Sequence, residues 1–200
     1  MLGGGTVMSR CFLMLALGMP MFGCASQLST LMRASGQLDA TPAADSALVV
    51  FVMGTDPRDD GWPFRVVDDK ARFLGECVPS SQFAVRVSPG EHALFAWKPS
   101  GEVPREYFAF YNQVGAVRAI FEAGKTYVVA ISYSTPMTFR AARLPFASLR
   151  LVDPSDREVA EVLRTALPLS ADTVAGQAVV DRERASVEQH LALGLSKLGR

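Results

Sequence analysis

Apolar and polar positions alternate through the middle of the chain with the period of a β-strand. In residues 83–88, FAVRVS, every second position from Phe83 carries a large apolar side chain, which is typical of a strand with one buried face. Pro89 and Gly90 follow as the central residues of a tight turn, because Pro presets φ and Gly accepts the positive φ that the next position needs. Residues 92–97 return as a second strand. The pattern predicts a β-hairpin around this turn.

More strands are predicted on both sides of this hairpin. Residues 47–53, ALVVFVM, form a short β-branched run that fits a buried strand better than a helix. Two further hairpins are predicted around residues 68–70 and Gly124, and an edge strand within residues 138–151 is interrupted at Pro145. The arms of these two hairpins are residues 63–68, 71–76, 116–121 and 126–132. The residues expected to be buried are Phe83, Val85, Val87, Leu94, Ala96, Val128 and Ala130.

Strands separated by closely spaced turn signals predict an antiparallel β-sandwich of about seven or eight strands, rather than alternating βαβ units. This β domain is expected to span residues 47–151. The chain has 200 residues, of which 49% are hydrophobic, so it can bury the core of one such domain and still carry appendages.

The hydrophobic period changes to that of helices in residues 152–200, which are predicted as a helical tail. Asp153 and Pro154 suit the cap and first position of a helix that ends before Pro168, and Ser155 with Glu158 offers a competing capping box. A second helix is expected from about Asp172. Its apolar stripe consists of Val180, Val187, Leu191, Leu195 and Leu198. We expect this stripe to pack on the β domain or on a partner helix.

The N-terminus has the layout of a secretory signal peptide over residues 1–23. Residues 12–23 are apolar and follow Arg10, and they are too few to span a bilayer as a helix. Met8, which is followed by Ser9 and Arg10, is a more natural start than Met1. Residues 24–46 are small and polar in composition, and we expect them to form a flexible tether after the signal.

The end of this signal, Gly23-Cys24-Ala25-Ser26, resembles the lipobox of bacterial lipoproteins. The resemblance implies that Cys24 is acylated and becomes the new N-terminus, so that the protein is anchored to a membrane. Acyl chains bind a bilayer with about 0.8 kcal/mol for each buried CH₂ group. The lack of Asp after Cys24 implies the outer membrane, with the domain facing the periplasm. The alternative is a cysteine that lies in an ordinary signal peptide.

Charge and cysteine content exclude some partners and some chemistry. Lys and Arg together number 20, as do Asp and Glu, so a nucleic-acid partner is not expected. Of the three cysteines, Cys11 leaves with the signal and Cys24 carries the lipid. Cys77 then has no partner within the chain, and no disulfide framework is expected.

The sequence predicts a protein that is not an enzyme and needs no cofactor. Its two histidines are His92, expected to be solvent-facing or to cap its turn, and His190 in the tail; neither belongs to a nucleophile or metal-ligand motif. The acidic loop at residues 56–61 lacks the ligand spacing of an EF-hand, so no metal is expected. The alternative is a cell-wall hydrolase or modifying enzyme that uses loop carboxylates. The candidates are Asp59, Asp60, Asp68 and Asp69.

Four aromatic side chains are concentrated in residues 107–111. They are Tyr107, Phe108, Phe110 and Tyr111. In a strand the two tyrosines would share one face and the two phenylalanines the other. Such a strand is either covered on both faces, or it presents an aromatic surface to a partner, for which another envelope protein is the candidate.

The chain from residue 47 to about residue 134 resembles the small lipoprotein domains of unknown function grouped as DUF2846, and more loosely PEGA-type modules. The resemblance depends on the opening apolar strand, the turn at residues 69–75, the turn at residues 87–92 and the segment 123–127, AGKTY. It covers under half of the chain. It implies a small β-sandwich without catalytic residues, and the helical tail lies outside it.

Overall fold

The computed structural model describes residues 30–38, 41–54, 63–99, 114–134 and 146–199. Within these ranges the chain forms ten strands and three helices. The strands are β1 (Met32–Ala34), β2 (Ala47–Met53), β3 (Phe64–Asp68), β4 (Phe73–Cys77), β5 (Ser81–Val87), β6 (Gly90–Trp97), β7 (Gly115–Phe121), β8 (Thr126–Ser134), β9 (Phe146–Val152) and β10 (Leu167–Ala171). The helices are α1 (Arg157–Thr165), α2 (Thr173–Arg182) and α3 (Arg184–Leu198).

The strands form two sheets, which makes the protein mainly β with helices near its C-terminus, as the sequence predicted. The larger sheet has six strands in the order β1-β10-β5-β2-β8-β9, and the smaller has four in the order β4-β3-β6-β7. Two neighbouring pairs in the larger sheet are parallel, β2 with β8 and β10 with β5. The prediction of a wholly antiparallel arrangement is therefore wrong. Parallel neighbours need long connections. The connection from β2 to β8 contains all four strands of the smaller sheet.

The hairpin predicted around Pro89 and Gly90 does not form. Its first arm, β5, pairs with β2 and β10, whereas its second arm, β6, pairs with β3 and β7 in the other sheet. The turn at Gly124 likewise joins β7 of the smaller sheet to β8 of the larger. Gly90 and Gly124 both have positive φ, 126° and 72°, so the turn chemistry is as expected. The chain reverses at these turns but crosses between sheets. The hairpin of β3 and β4 around residues 68–70 is confirmed.

Strand β2 is buried along its whole length, as predicted, because each of its faces lies in a separate apolar cluster. Ala47, Val49, Phe51 and Met53 lie in a cluster that includes residues of both sheets. Leu48, Val50 and Val52 lie in a second cluster, against which Val159, Val162 and Leu163 of the α1 region pack. Of the residues predicted to be buried, Phe83, Val87, Leu94, Ala96 and Val128 are buried, while Val85 and Ala130 are half-buried.

Two strands lie outside the predicted β domain. Strand β1 falls in the predicted flexible tether, yet Leu31 and Met32 are buried and β1 pairs with β10. Strand β10 falls in the predicted helical tail and pairs in parallel with β5, with Pro168 opposite Gln82. Burial of these apolar side chains at the sheet edge outweighs the polar composition of their surroundings. The tether prediction therefore differs from the structure at residues 31–35.

The helices begin at aspartate caps. Helix α1 starts after Asp156, whose carboxylate accepts from Glu158 N, and not at the predicted Asp153. Asp153 instead accepts from the backbone N and the hydroxyl of Ser155. Helix α2 starts after Asp172, as predicted. None of the helices within the described ranges is both long and apolar enough to cross a bilayer.

Helices α2 and α3 pack on the face of the smaller sheet that carries Phe73, Phe95 and Trp97. Of the predicted stripe, Val180 and Val187 are buried and Leu191 and Leu198 are partly buried. Leu195 is 44% exposed, and Gly194 faces the sheet in its place. A Cβ at Gly194 would overlap the ring of Phe95. Within α3 the buried face runs through Val187, His190 and Gly194, so Leu195 lies at its margin.

Candidate functional site

Several residues singled out by the sequence lie outside the described residues. These are Cys24, Asp59, Asp60, Tyr107, Phe108, Phe110 and Tyr111, together with the signal peptide and Pro145. Their predictions remain predictions. The structure places five other candidates on the two sheets and on α3: Asp68, Asp69, Cys77, His92 and His190.

Asp68 ends β3, and its buried carboxylate is fully engaged by the β3–β4 turn. Oδ1 accepts from the backbone N of Lys70 at 3.0 Å and of Arg72 at 2.9 Å. Oδ2 accepts from Arg72 Nε at 2.5 Å. A carboxylate that is bound by three donors stabilises a turn, and it has little capacity left to act as a general base. Asp68 is therefore a structural residue.

Asp69, His92 and Ser88 lie together at the crossover between the two sheets. His92 Nε2 is 3.3 Å from Ser88 Oγ, and His92 Nδ1 is 3.9 Å from Asp69 Oδ1. The order hydroxyl, imidazole, carboxylate is that of an activated serine nucleophile. The ring is buried, whereas Ser88 is exposed.

The hydrogen bonds of His92 oppose that chemistry. Nε2 lies 2.9 Å from the backbone carbonyl of Ser88, and a carbonyl can only accept, so Nε2 carries the proton. A protonated Nε2 cannot accept a proton from Ser88 Oγ. Nδ1 is buried without a hydrogen-bond partner. His92 therefore caps the crossover turn, which agrees with the capping role predicted for it.

Cys77 is a buried, free thiol at the end of β4. Burial raises its pKa to about 12, although a hydrogen bond with Ser81 opposes the shift. Because the thiolate is the nucleophile in cysteine chemistry, a thiol with this pKa stays protonated and inert near neutral pH. Cys77 is part of the core.

A charge cluster, made of the buried Arg65 and Glu76 and the partly exposed Glu183, lies between the smaller sheet and the two C-terminal helices. Arg65 Nε donates to Glu76 Oε1 at 3.0 Å, and Nη1 donates to Glu183 Oε2 at 2.7 Å. Arg65 and Glu76 are almost fully buried. The cluster holds the junction of α2 and α3 against β3. The hairpin register alone would have predicted the pair Arg65–Glu76, since the two residues are directly opposite.

His190 stacks on Trp97 beside this cluster, with ring centroids 4.9 Å apart. Its Nδ1 is 2.6 Å from the carbonyl of Ser186, one helical turn earlier. Burial lowers the pKa of His190, and the carbonyl and Glu183 partly offset this shift. His190 was predicted only to lie in the tail helix, and its stacking on Trp97 makes it a packing residue.

Shallow clefts lie on the described surface, and two of them adjoin the larger sheet. The first, of about 330 Å³, lies between α1 and the ends of β2 and β8, with Val52, Val159 and Val162 on its floor and Arg150 and Asp156 among its polar residues. The second, of about 290 Å³, follows β1, β10 and β5. Its lining includes Leu38, Ser35, Arg86, Ser170 and Thr173. Both clefts are lined by a mixture of apolar and polar side chains, and the first contains the carboxylates of Asp153, Asp156 and Glu158.

No group of three His, Cys, Asp or Glu side chains within the described residues is placed to hold a metal ion. Compared with known proteins, the chain matches no family model, no curated protein and no solved structure. The resemblance to the DUF2846 group therefore stays an expectation from the sequence.

Proposed function

We propose that this chain is a lipid-anchored protein of the bacterial cell envelope, acting without chemistry of its own as a binding or assembly module. The hydrogen bond between His92 and the Ser88 carbonyl is the observation that supports the absence of catalysis in this proposal. His92 Nε2 donates to this carbonyl, so it cannot accept a proton from the Ser88 hydroxyl. Of two other candidates, Asp68 is held by hydrogen bonds within its own turn, and Cys77 is buried as a protonated thiol.

The anchor is inferred from the sequence. Gly23-Cys24-Ala25-Ser26 provides the cysteine to be acylated and the two residues that sorting would read. In this proposal the lipid on Cys24 holds the protein on the outer membrane, and the folded part faces the periplasm. Several acyl chains on one cysteine would make the attachment effectively permanent.

The partner in this proposal is another envelope protein, and the surface to test first is the aromatic segment 107–111. The double variant Tyr107→Ser/Tyr111→Ser is expected to lose a protein that co-purifies with the wild type after crosslinking in intact cells. The matched control is Leu167→Ser, which removes a 43% exposed apolar side chain on β10. If the double variant retains the partner as well as the control does, this surface is not the binding site.

One observation favours the alternative, a cell-wall hydrolase or modifying enzyme. Asp69 Oδ1 lies 3.9 Å from the unpaired Nδ1 of His92, which is the start of a carboxylate–imidazole pair. Turnover of peptidoglycan by the purified protein, abolished by Asp69→Asn or Asp60→Asn, would establish this alternative. Absence of turnover supports the binding module, whereas turnover that survives both substitutions would show that neither aspartate is responsible for it.

We also infer that the two sheets pack face to face as a β-sandwich. The support is the apolar cluster shared by both sheets, to which β2 contributes Val49 and Phe51 and the smaller sheet contributes Phe64, Val66 and Leu94. A sandwich of this kind is what the resemblance to DUF2846 lipoproteins implies, and it gives the module a rigid scaffold for its loops.

A further inference from the structure

The first described strand lies close to Cys24 in the chain. Leu31 is buried, and its carbonyl accepts from Asp172 N at 2.9 Å. Met32 follows as the first residue of β1, opposite Ala171 of β10. Leu31 is thus a fixed point of the fold. It lies only seven residues after Cys24 in the chain.

Seven residues limit how far the fold can lie from an acylated Cys24. A fully extended chain spans at most about 3.6 Å per residue, so Leu31 is held within about 25 Å of the lipid-bearing cysteine. A flexible chain of this length has an average end-to-end distance of about 15 Å. The tether predicted over residues 24–46 would instead have reached about 83 Å when extended.

The fixed point lies at one edge of the protein. Strand β1 is the edge of the six-stranded sheet, and β9 is the opposite edge. Five inter-strand steps of about 4.8 Å separate them, or about 24 Å. Strand β7 of the smaller sheet contacts β9, whereas β4 and α2 contact each other near β10. The tethered edge therefore consists of β1, β10 and the start of α2.

This edge carries side chains that suit a lipid surface. Arg33 on β1 is 77% exposed and lies 3.3 Å from Asp172, which caps α2. Val174, in the first turn of α2, is the most exposed of the large hydrophobic residues in the described part of the chain, at 82%. A cation and an exposed apolar side chain on one edge can contact phosphate groups and the acyl boundary of a bilayer at once.

We propose that the edge formed by β1 and the first turn of α2, with Arg33 and Val174, faces the bilayer at close range. This inference rests on the proposed acylation of Cys24. It fixes the orientation of the module, because the opposite edge, β7 and β9, then faces away from the membrane. Partner binding is thereby directed to the β7 and β9 side of the protein.

The test uses energy transfer from the full, lipid-bearing protein in vesicles of phosphatidylethanolamine and phosphatidylglycerol that contain a headgroup-labelled acceptor lipid. A fluorophore is attached at Val174→Cys or, as the matched control, at Ile120→Cys on β7. Both native positions are exposed, and the native Cys77 is buried and stays unlabelled. We expect transfer to be at least about twofold stronger from position 174, since the two edges differ by ~24 Å in distance.

Insertion of about 20 Gly and Ser residues after Ser26 should reduce this difference, because it raises the average span to about 29 Å. Equal transfer from the two positions in a protein that carries lipid on Cys24 overturns the inference and leaves the proposed function standing. Stronger transfer from position 120 overturns it as well. A protein that takes up no lipid on Cys24 overturns the proposed function and this inference together.

Discussion

Arg65 on β3 donates a hydrogen bond to Glu183 at 2.7 Å, across a separation of 118 positions in the chain. Glu183 is the residue at which α2 ends and α3 begins. The contact therefore ties the C-terminal helices to the smaller sheet through a charge that is almost completely buried. Because the other side of the guanidinium is bound to Glu76, the C-terminal helices and the sheet share one electrostatic cluster.

Arg65→Leu is expected to lower the free energy of unfolding by about 3 kcal/mol or more, because it leaves Glu76 buried without its counter-charge. Urea denaturation monitored by Trp fluorescence measures this. The double variant Arg65→Leu/Glu76→Leu should regain part of the loss, since it removes both buried charges. Arg118→Leu is the control, because Arg118 and its partner Glu91 are exposed, and its effect should stay below about 1 kcal/mol. An Arg65→Leu effect as small as the control would show that the cluster does not stabilise the fold.

Acidification should destabilise the protein through His190. Burial lowers the pKa of His190 in the folded state below its usual value of 6.5. As the pH falls below about 6.5, the unfolded state takes up the proton first, so the free energy of unfolding decreases until the folded state is protonated too. Unfolding of the wild type and of His190→Gln is compared at pH 7.5 and pH 5.5. The free energy of unfolding should decrease less in the variant than in the wild type. Equal decreases would show that His190 does not cause the acid destabilisation.

Cys77 should be unreactive in the folded protein. Its thiol is buried, which raises the pKa to about 12. An aromatic disulfide reagent at pH 8 should therefore not react with it, because the sulfur is inaccessible and protonated. In a Cys11→Ser/Cys24→Ser protein, we expect no rapid reaction without denaturant and one reacting thiol in guanidinium. Rapid, complete reaction of the folded protein would contradict the burial of this cysteine.

Sequence patterns predicted the strands best where burial leaves few alternatives. The run 47–53 is apolar at every position because both faces of β2 are covered. The turn at residues 68–70 joins two strands that pair with each other, so local chemistry was sufficient for that hairpin. The start of α2 followed from the capping residue Asp172.

Strand pairing was less predictable, because a turn determines where the chain reverses and not which strand it joins. Gly90 has the positive φ expected after Pro89, yet β5 and β6 enter different sheets. The short strands β1 and β10 gave only weak signals, since Leu31 and Met32 stand in a polar context and Pro168 usually marks a break. The two strands pair with each other across more than 130 positions, and β10 pairs with β5 across 86 positions.

The candidate site shows the same limit. The sequence identified His92 and the carboxylates as separate groups, but the order Ser88, His92, Asp69 arises only when the crossover turn meets the β3–β4 turn. The sequence also does not show that the His92 ring donates to the Ser88 carbonyl, because this contact depends on how the ring is oriented in the fold. The contact between Arg65 and Glu183 joins a strand to a helix junction, and no local pattern encodes such a pair.

The central claim is that Cys24 carries lipid, and metabolic labelling with radioactive palmitate tests it most directly. The full chain is expressed in a bacterium as the wild type, as Cys24→Ser and as Cys77→Ser. We predict label on the wild type and on Cys77→Ser, and none on Cys24→Ser. A wild-type protein without label, or a Cys24→Ser protein labelled as strongly as the wild type, would contradict the anchor and the location inferred from it.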